Sequence, residues 1–403
     1  FGHPLVYNDA LMLNGYGGRP SDGHRLLLNA YRWLAEPATK AGLGGYTAPE
    51  PPKRDWVSPK DWQKQKFRGW DAPPGGGEPE HYRGLIGART VASNGEGTVA
   101  EYVAAARAAG LSFIVFAEDL AHTDAARYAG LVAECAVHST NGFLAVPGYL
   151  ARDTQGVEHF FFNTDSLPLA DNLTPDRRVR VPNRITVDRN PLGYGAEGIA
   201  RLGAMPLDPW YLLSFSCIAL YTYEGARLVD DGYDRYLGLQ GRMHHHPPVS
   251  FTVVKRPDEL VEAVPRVHLP VIVGPSPRAF VPAATRKAAP PNLYISNGPR
   301  IDRWGLVNGP SMVFRPGGQR FRVELHASSP TGLREVKIVN ALTGKAYRRF
   351  DAGGAKTFRC SIDESHKTQW YLFPVVTDVE GGTAIGPTRY TLQNGNRMFA
   401  YDD

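Results

Sequence analysis

Strands and helices alternate through the middle of this chain and give way to strands alone toward its end, which predicts an α/β domain followed by a β-sandwich. The first observation behind this is a set of apolar strands separated by helical stretches over about residues 82 to 297. The second is a switch to two-residue alternation of apolar and polar side chains from about Trp304 onward. The third is size. A chain of 403 residues with 42% hydrophobic content exceeds the roughly 250–300 residues at which a single core stops growing, so at least two domains are expected.

Residues 1–40 contain one helix, SDGHRLLLNAYRWLAEP, with Ser21 or Asp22 as N-cap, Leu27, Leu28, Tyr31 and Leu34 at helical spacing, and Pro37 just beyond. One helix makes no core, so its stripe must pack on another part of the chain or on another molecule. Residues 41–81 shift to Pro, Gly and charge, the composition of a linker or extended arm. Trp56, Trp62, Phe67 and Trp70 are costly to leave in water, which predicts an arm laid on a surface.

Residues 82–300 form the α/β region. The strand GLIGARTVA is followed by a helix from Thr98 to Gly110, opened by a capping box of Thr98 and Glu101, and by the strand LSFIVFA. A helix from Asp124 to about His138 comes next, then FLAVPG, VEHFFFN, VSFTVVK, the helix PDELVEAV, LPVIVG and NLYIS. Such repeats argue a parallel sheet covered by helices, open or closed into a barrel. Residues 301–403 supply short strands such as QRFRVELHAS, REVKIVNA and QWYLFPVVTD between turn signals, a sandwich of immunoglobulin-like size.

Composition excludes several classes. The net charge of +5 is spread along the chain, which is no footprint for specific nucleic acid. The basic run RRVRVPNR from Arg177 to Arg184 reads as a solvated loop. Cys135, Cys217 and Cys360 lie far apart without CxxC spacing, so neither a disulfide framework nor a zinc knuckle is expected. No apolar run reaches the roughly 18 residues that span a bilayer, so no membrane span is expected. The chain starts at Phe1 without a methionine or a signal-peptide pattern, which predicts a processed product or a fragment.

In α/β sheets and barrels, reactive groups collect at the C-terminal ends of strands. There this sequence places Gly87, Ala88 and Arg89, then Glu118 and Asp119. The run GLIGARTVASNGEGTVAEYVAAARAAGLSFIVFAED, followed by FLAVPGYLARDTQGVEHFFF, resembles the PHP (polymerase and histidinol phosphatase) superfamily of metal-dependent hydrolases, in the branch with a C-terminal β-sandwich. The resemblance covers roughly residues 82–300. It implies a distorted β/α barrel whose two or three metal ions are held by His, Asp and Glu at successive strand ends.

Carried over residue by residue, the family's His-x-His falls on Gly87, Ala88 and Arg89, and its Asp-His on Glu118 and Asp119 after Ala117. Its Glu after a Pro-Gly pair falls on Tyr149 and Leu150, behind Pro147 and Gly148, and its next strand histidine is matched by His159. Its Ala-His-Pro falls on Ala204, Met205 and Pro206, its Ile-Glu on Ile218 and Ala219, and its Ser-Asp-x-His on Ser276, Pro277, Arg278 and Ala279. The remnant pocket implied is therefore Gly87, Arg89, Glu118, Asp119, His159, Met205, Ala219 and Arg278.

Two-metal hydrolysis needs fixed imidazole and carboxylate donors around ions roughly 3.5–4 Å apart. Gly87, Met205, Ala219 and Pro277 supply none, and Arg89 brings a fixed positive charge. The expectation is a non-catalytic PHP-like scaffold or binding protein without a cofactor, with Glu118 and Asp119 paired to Arg89 in the vacated cavity. The alternative is a metal-dependent phosphoesterase with a reduced site of Glu118, Asp119, His122 and His159 for one divalent ion such as zinc, manganese or iron. His244, His245 and His246 read as a surface loop. GYGAEG, from Gly193 to Gly198, lacks the preceding strand of a dinucleotide loop. The arm and the sandwich suit extracellular or cell-surface assembly, with self-association through residues 1–80, into a fibre where the contact is head to tail. Carbohydrate binding through exposed tryptophans is a third possibility, and no small-molecule ligand is identified.

Overall fold

The computed structural model describes residues 80–154, 156–168, 173–178, 196–202, 217–240, 247–284, 293–306, 312–315, 320–341, 343–365 and 370–393, with scattered positions between 29 and 42. The arm's Trp56, Trp62, Phe67 and Trp70, together with Met205, Gly193 and His244 to His246, lie outside them. Contacts divide the chain into two compact units, residues 1–65 and 66–403. In the first, helical residues occur between 29 and 40, and Lys40 Nζ lies 2.5 Å from Glu36 Oε1 one turn earlier.

The second unit is mixed α/β and mostly sheet. Its strands are β1 (His81–Ala88), β2 (Phe113–Phe116), β3 (Glu118–Asp119), β4 (Leu144–Val146), β5 (Gly148–Arg152), β6 (Glu158–Phe162), β7 (Ala196–Ile199), β8 (Cys217–Glu224), β9 (Arg227–Asp231), β10 (Pro248–Val253), β11 (Leu269–Val273) and β12 (Leu293–Ser296). Toward the C-terminus follow β13 (Arg300–Leu306), β14 (Met312–Arg315), β15 (Arg320–Asn340), β16 (Lys345–Ser365), β17 (Trp370–Asp378), β18 (Thr383–Ile385) and β19 (Arg389–Gln393). The described helices are α1 (Val99–Ala108), α2 (Ala125–His138), α3 (Tyr233–Gln240), α4 (Pro257–Ala263) and α5 (Phe280–Ala284).

Local chemistry sets the first two helices. Thr98 Oγ1 accepts from Glu101 N at 3.3 Å and Glu101 Oε2 accepts from Thr98 N at 2.8 Å, so two orphan donors are satisfied at once. Asp124 Oδ1 caps α2 by accepting from Arg127 N at 2.9 Å. Each helix turns an apolar stripe inward: Val99, Tyr102, Val103 and Ala106 on α1, and Tyr128, Leu131 and Cys135 on α2.

The strands form two sheets. One runs β13-β15-β17-β18-β12-β11-β1-β2-β4, with β14, β16 and β19 alongside, and the other runs β10-β8-β7-β6-β5-β3, with β9 on β8. The chain passes from one sheet to the other at Ala117 and again at Pro147, between β2 and β3 and between β4 and β5. A single parallel bridge, Ala88 to Val254, links the ends of β1 and β10. The described ladders are two sheets, with no closed barrel among them.

The parallel sheet read from the sequence is in fact mixed. β1–β2, β2–β4, β7–β8 and β8–β10 are parallel, whereas β1–β11, β11–β12, β5–β6 and β6–β7 are antiparallel. The five residues between β5 and β6 are the reason for one of these reversals. A parallel return needs a crossover of about a dozen residues or more, and a shorter link makes a hairpin.

Strand alternation sorts the α/β side chains into two clusters. One packs against the helices: Leu85, Ile114, Phe116, Tyr149 and Phe161 with residues of α1, α2 and α4. The other gathers Ile86, Val115, Ala117, Leu150 and Ala219 around phenylalanines. In it Phe113 stacks on Phe280 with centroids 4.4 Å apart, and Phe160 on Phe251 at 5.1 Å. The C-terminal strands are no separate layer, since β12 pairs with β18 and Val271, Val273 and Tyr294 share a core with Trp304, Leu325 and Val336.

Candidate functional site

The end of β1 sets the geometry. Gly87 has φ +123°, and a Cβ there would lie 2.4 Å from the carbonyl oxygen of Thr252. Only glycine accepts that conformation and that approach. The position onto which the resemblance carries the first histidine of His-x-His therefore has no room for a side chain. The register against β2 shifts between Ile86 and Ala88, and Arg89 follows with its backbone N–H on Val254 O at 2.9 Å.

Arg89 is 8% exposed. Its Nη1 donates to Asn94 Oδ1 at 3.3 Å and stands 3.6 Å from Asp119 Oδ2, while its buried Nε has no hydrogen-bond partner among the described residues. Burial pushes the guanidinium below its usual pKa, and the charges of Asp119, Glu158 and Glu118 oppose that shift.

Glu118 and Asp119 are adjacent and face opposite ways. Glu118 pairs across β5 with Tyr149 of the helix-facing cluster, and Asp119 with Leu150 of the phenylalanine cluster. Glu118 is fully buried and accepts from Thr90 N at 2.9 Å, from Thr90 Oγ1 at 2.8 Å and from the Ser93 hydroxyl. Burial raises its pKa against the pull of those hydrogen bonds. Thus only Asp119 forms the expected ion pair with Arg89, while Glu118 clamps the loop after β1. Asp119 also accepts from Asn94 Nδ2 at 3.2 Å and Ala121 N at 3.1 Å, and its Oδ2 lies 3.1 Å from His122 Nδ1.

His159 lies two residues before Phe161 on β6 and shares its face, away from Phe160 and Phe162. Its Nε2 sits 2.8 Å from Asp153 Oδ2 and its ring stacks on Phe161, centroids 6.2 Å apart. It therefore stands on the side opposite Asp119. Ala219 is buried in the phenylalanine cluster, and Arg278 is exposed in the short turn Pro277–Ala279.

Sequence reasoning missed a chain of charges at the same strand ends. Arg152 Nη2 lies 3.0 Å from Glu158 Oε1. Arg201 Nε lies 2.8 Å from Glu158 Oε2, an ion pair without the alignment of a hydrogen bond, and its Nη2 donates to Glu224 Oε1 at 3.1 Å. Arg227 closes the chain on Glu224. Glu158 and Arg152 lie near enough to act on the charge of Arg89. The available signal was positional: Arg152 and Glu224 are the last residues of β5 and β8, and Glu158 is the first of the antiparallel β6.

These residues do not fit the pair of ions that the family resemblance implies. Gly87 admits no donor, Ala219 packs among phenylalanines, and the oxygens of Glu118 are engaged on the helix side. Among the described residues, no three of His, Cys, Asp and Glu gather into a group able to hold a metal. What the arrangement does chemically is hold strand ends together by paired charge, and at the buried Arg89 and the partly buried Glu158 an unpaired charge would be costly.

No family model and no curated protein matches the chain. Among solved structures it is similar to a two-domain protein containing a predicted PHP-like metal-dependent phosphoesterase from Bacteroides vulgatus, at TM-score 0.40 and 9% identity, over 77% of this chain and 95% of that one. It is also similar to the sulfur carrier protein SoxY from Chlorobium limicola, at TM-score 0.19 and 16% identity, over 25% of this chain and 82% of that one.

Proposed function

We propose that this protein is a non-catalytic scaffold or binding protein: a PHP-like β/α barrel carrying an immunoglobulin-like sandwich, in which arginine–carboxylate pairs stand where a hydrolase keeps its ions. The observation that carries this reading is the buried Arg89 guanidinium 3.6 Å from Asp119 at the end of the first strand. A fixed cation there repels divalent metal and neutralises the carboxylate best placed to bind it. Self-association through residues 1–80 in an extracellular or surface setting belongs to the same proposal. An unchanged sedimentation profile after deletion of residues 1–80 would remove that part.

The direct test is elemental analysis of the purified protein together with hydrolysis of bis(p-nitrophenyl) phosphate. We expect no stoichiometric metal and no turnover above buffer. Zinc, manganese or iron at one ion per chain, lost together with activity in Asp119→Ala and His122→Ala, would install the one-metal phosphoesterase instead. The 3.1 Å approach of His122 Nδ1 to Asp119 Oδ2 makes that pair the place to look.

A further inference from the structure

Three basic side chains stand in one row across the solvent face of the C-terminal strands. Arg303 on β13, His326 on β15 and Arg359 on β16 are direct cross-strand partners. Their neighbours Trp304, Leu325, Ala327, Phe358 and Cys360 pack into the apolar cluster beneath, so alternation turns the row outward. Like charges directly opposite one another destabilise a sheet unless a counter-charge is present.

The described residues supply little of that counter-charge. Glu324, two residues along β15, reaches Arg303 with Oε2 3.5 Å from Nη2. Asp302, displaced by the irregularity between Ile301 and Arg303, is held by Ser328 Oγ at 3.2 Å and His81 Nε2 at 3.0 Å. Arg359 has no ion-pair partner among the described residues, and Thr357 presents a hydroxyl beside it on the same face.

We propose that Arg303, His326 and Arg359 form a binding site for a tetrahedral oxyanion, a sulfate or phosphate group that is either free or carried on a sulfated polysaccharide. The two guanidiniums offer forked donors to such a group, and a protonated imidazole between them adds a third. Burial holds the His326 pKa below its usual value, Arg359 and Arg303 push it further down, and Glu324 and Asp302 oppose them. A bound dianion reverses the effect of the two arginines, so the site reports its own occupancy.

The test is an NMR titration of the His326 ring in the full chain, its signal identified by loss in His326→Gln. Sodium sulfate, sodium phosphate and a heparin-derived disaccharide are compared with sodium chloride at matched ionic strength. We expect a saturable shift and a higher titration midpoint for His326, with about tenfold weaker binding in Arg359→Gln, the loss of one charge-assisted contact, and partial recovery in Arg359→Lys. A response to the disaccharide at concentrations where inorganic sulfate gives none assigns a polysaccharide source; equal responses assign the free oxyanion. Superimposable sulfate and chloride titrations, or wild-type binding by Arg359→Gln, would overturn the proposal.

Discussion

The strand-end edge of the α/β region and the solvent face of the C-terminal strands both concentrate arginine, and they treat its charge in opposite ways. At the edge, Arg89, Arg152, Arg201 and Arg227 each face Asp119, Glu158 or Glu224. On the sheet face, Arg359 stands beside His326 with no carboxylate of its own among the described residues. At Arg89, whose side chain is 9% exposed, the difference follows from solvent, whereas Arg152 and Arg227, 66% and 74% exposed, pair at the surface. A charge withdrawn from water needs a partner, whereas an exposed one is screened within roughly 8–10 Å by salt. Spare charge, and with it the capacity to recruit an anionic ligand, accordingly sits where pairing is not demanded.

Placing an imidazole donor at the end of β1 should give the largest effect. Gly87→His would force a side chain into the Thr252 carbonyl at positive φ and should cost roughly 3–5 kcal/mol, combining backbone strain and overpacking. Urea unfolding measures it. A variant as stable as the parent would break the account of why position 87 admits no side chain.

Arg89→Ala should come next, at about 2–3 kcal/mol. It removes a nearly buried cation from Asp119 and Asn94, discounted because Asp119 is 24% exposed and keeps Asn94 and His122 nearby. The denaturation midpoint should fall without a change in slope, and no loss at all would mean that the ion pair is ornamental.

A third experiment probes the seam between the two regions. His268 shares hydrogen bonds with the Tyr223 hydroxyl at 2.8 Å and, from β18, with Thr383 Oγ1 at 2.7 Å, and burial pulls its pKa from 6.5 down to about 4. The unfolded chain takes up this proton near pH 6.5 and the folded one near 4. Stability is therefore full above about pH 6.5 and declines as pH falls toward 4, by roughly 2–3 kcal/mol. Melting temperatures across that window should lose this slope in His268→Gln. The smallest effect is expected on the open face: Arg349→Ala, with the side chain 65% exposed and 2.5 Å from Glu335, should cost less than about 1 kcal/mol.

Much of the local structure was legible in the residues. Thr98 and Glu101 announced the start of α1 and Asp124 that of α2, and the structure places Arg89 3.6 Å from Asp119 at the strand ends. The facing of those charges was not legible. Glu118 and Asp119 read as one acidic pair, yet consecutive strand residues point to opposite sides, and the same rule carries His159 away from Asp119. Glu158, Arg201 and Glu224 went unnoticed because Arg201 lies 43 residues from Glu158 and 23 from Glu224, and no local pattern marks a pairing over that distance.

By itself the amino-acid sequence determined the helices α1, α2 and α4 and strands such as β1, β2, β6 and β10, because caps, turn residues and apolar periodicity act over a few residues, while β7, β8, β9, α3 and α5 went unread. It also determined that positions 87 and 219 offer no metal donor, because a glycine or an alanine side chain carries none in any fold. Only the tertiary structure decided the mixed direction of the sheets, the shared core across residue 300 and the side of β6 that His159 occupies. Those outcomes depend on register between segments distant in the chain, and a shift of one residue there exchanges the buried face of a strand for the other.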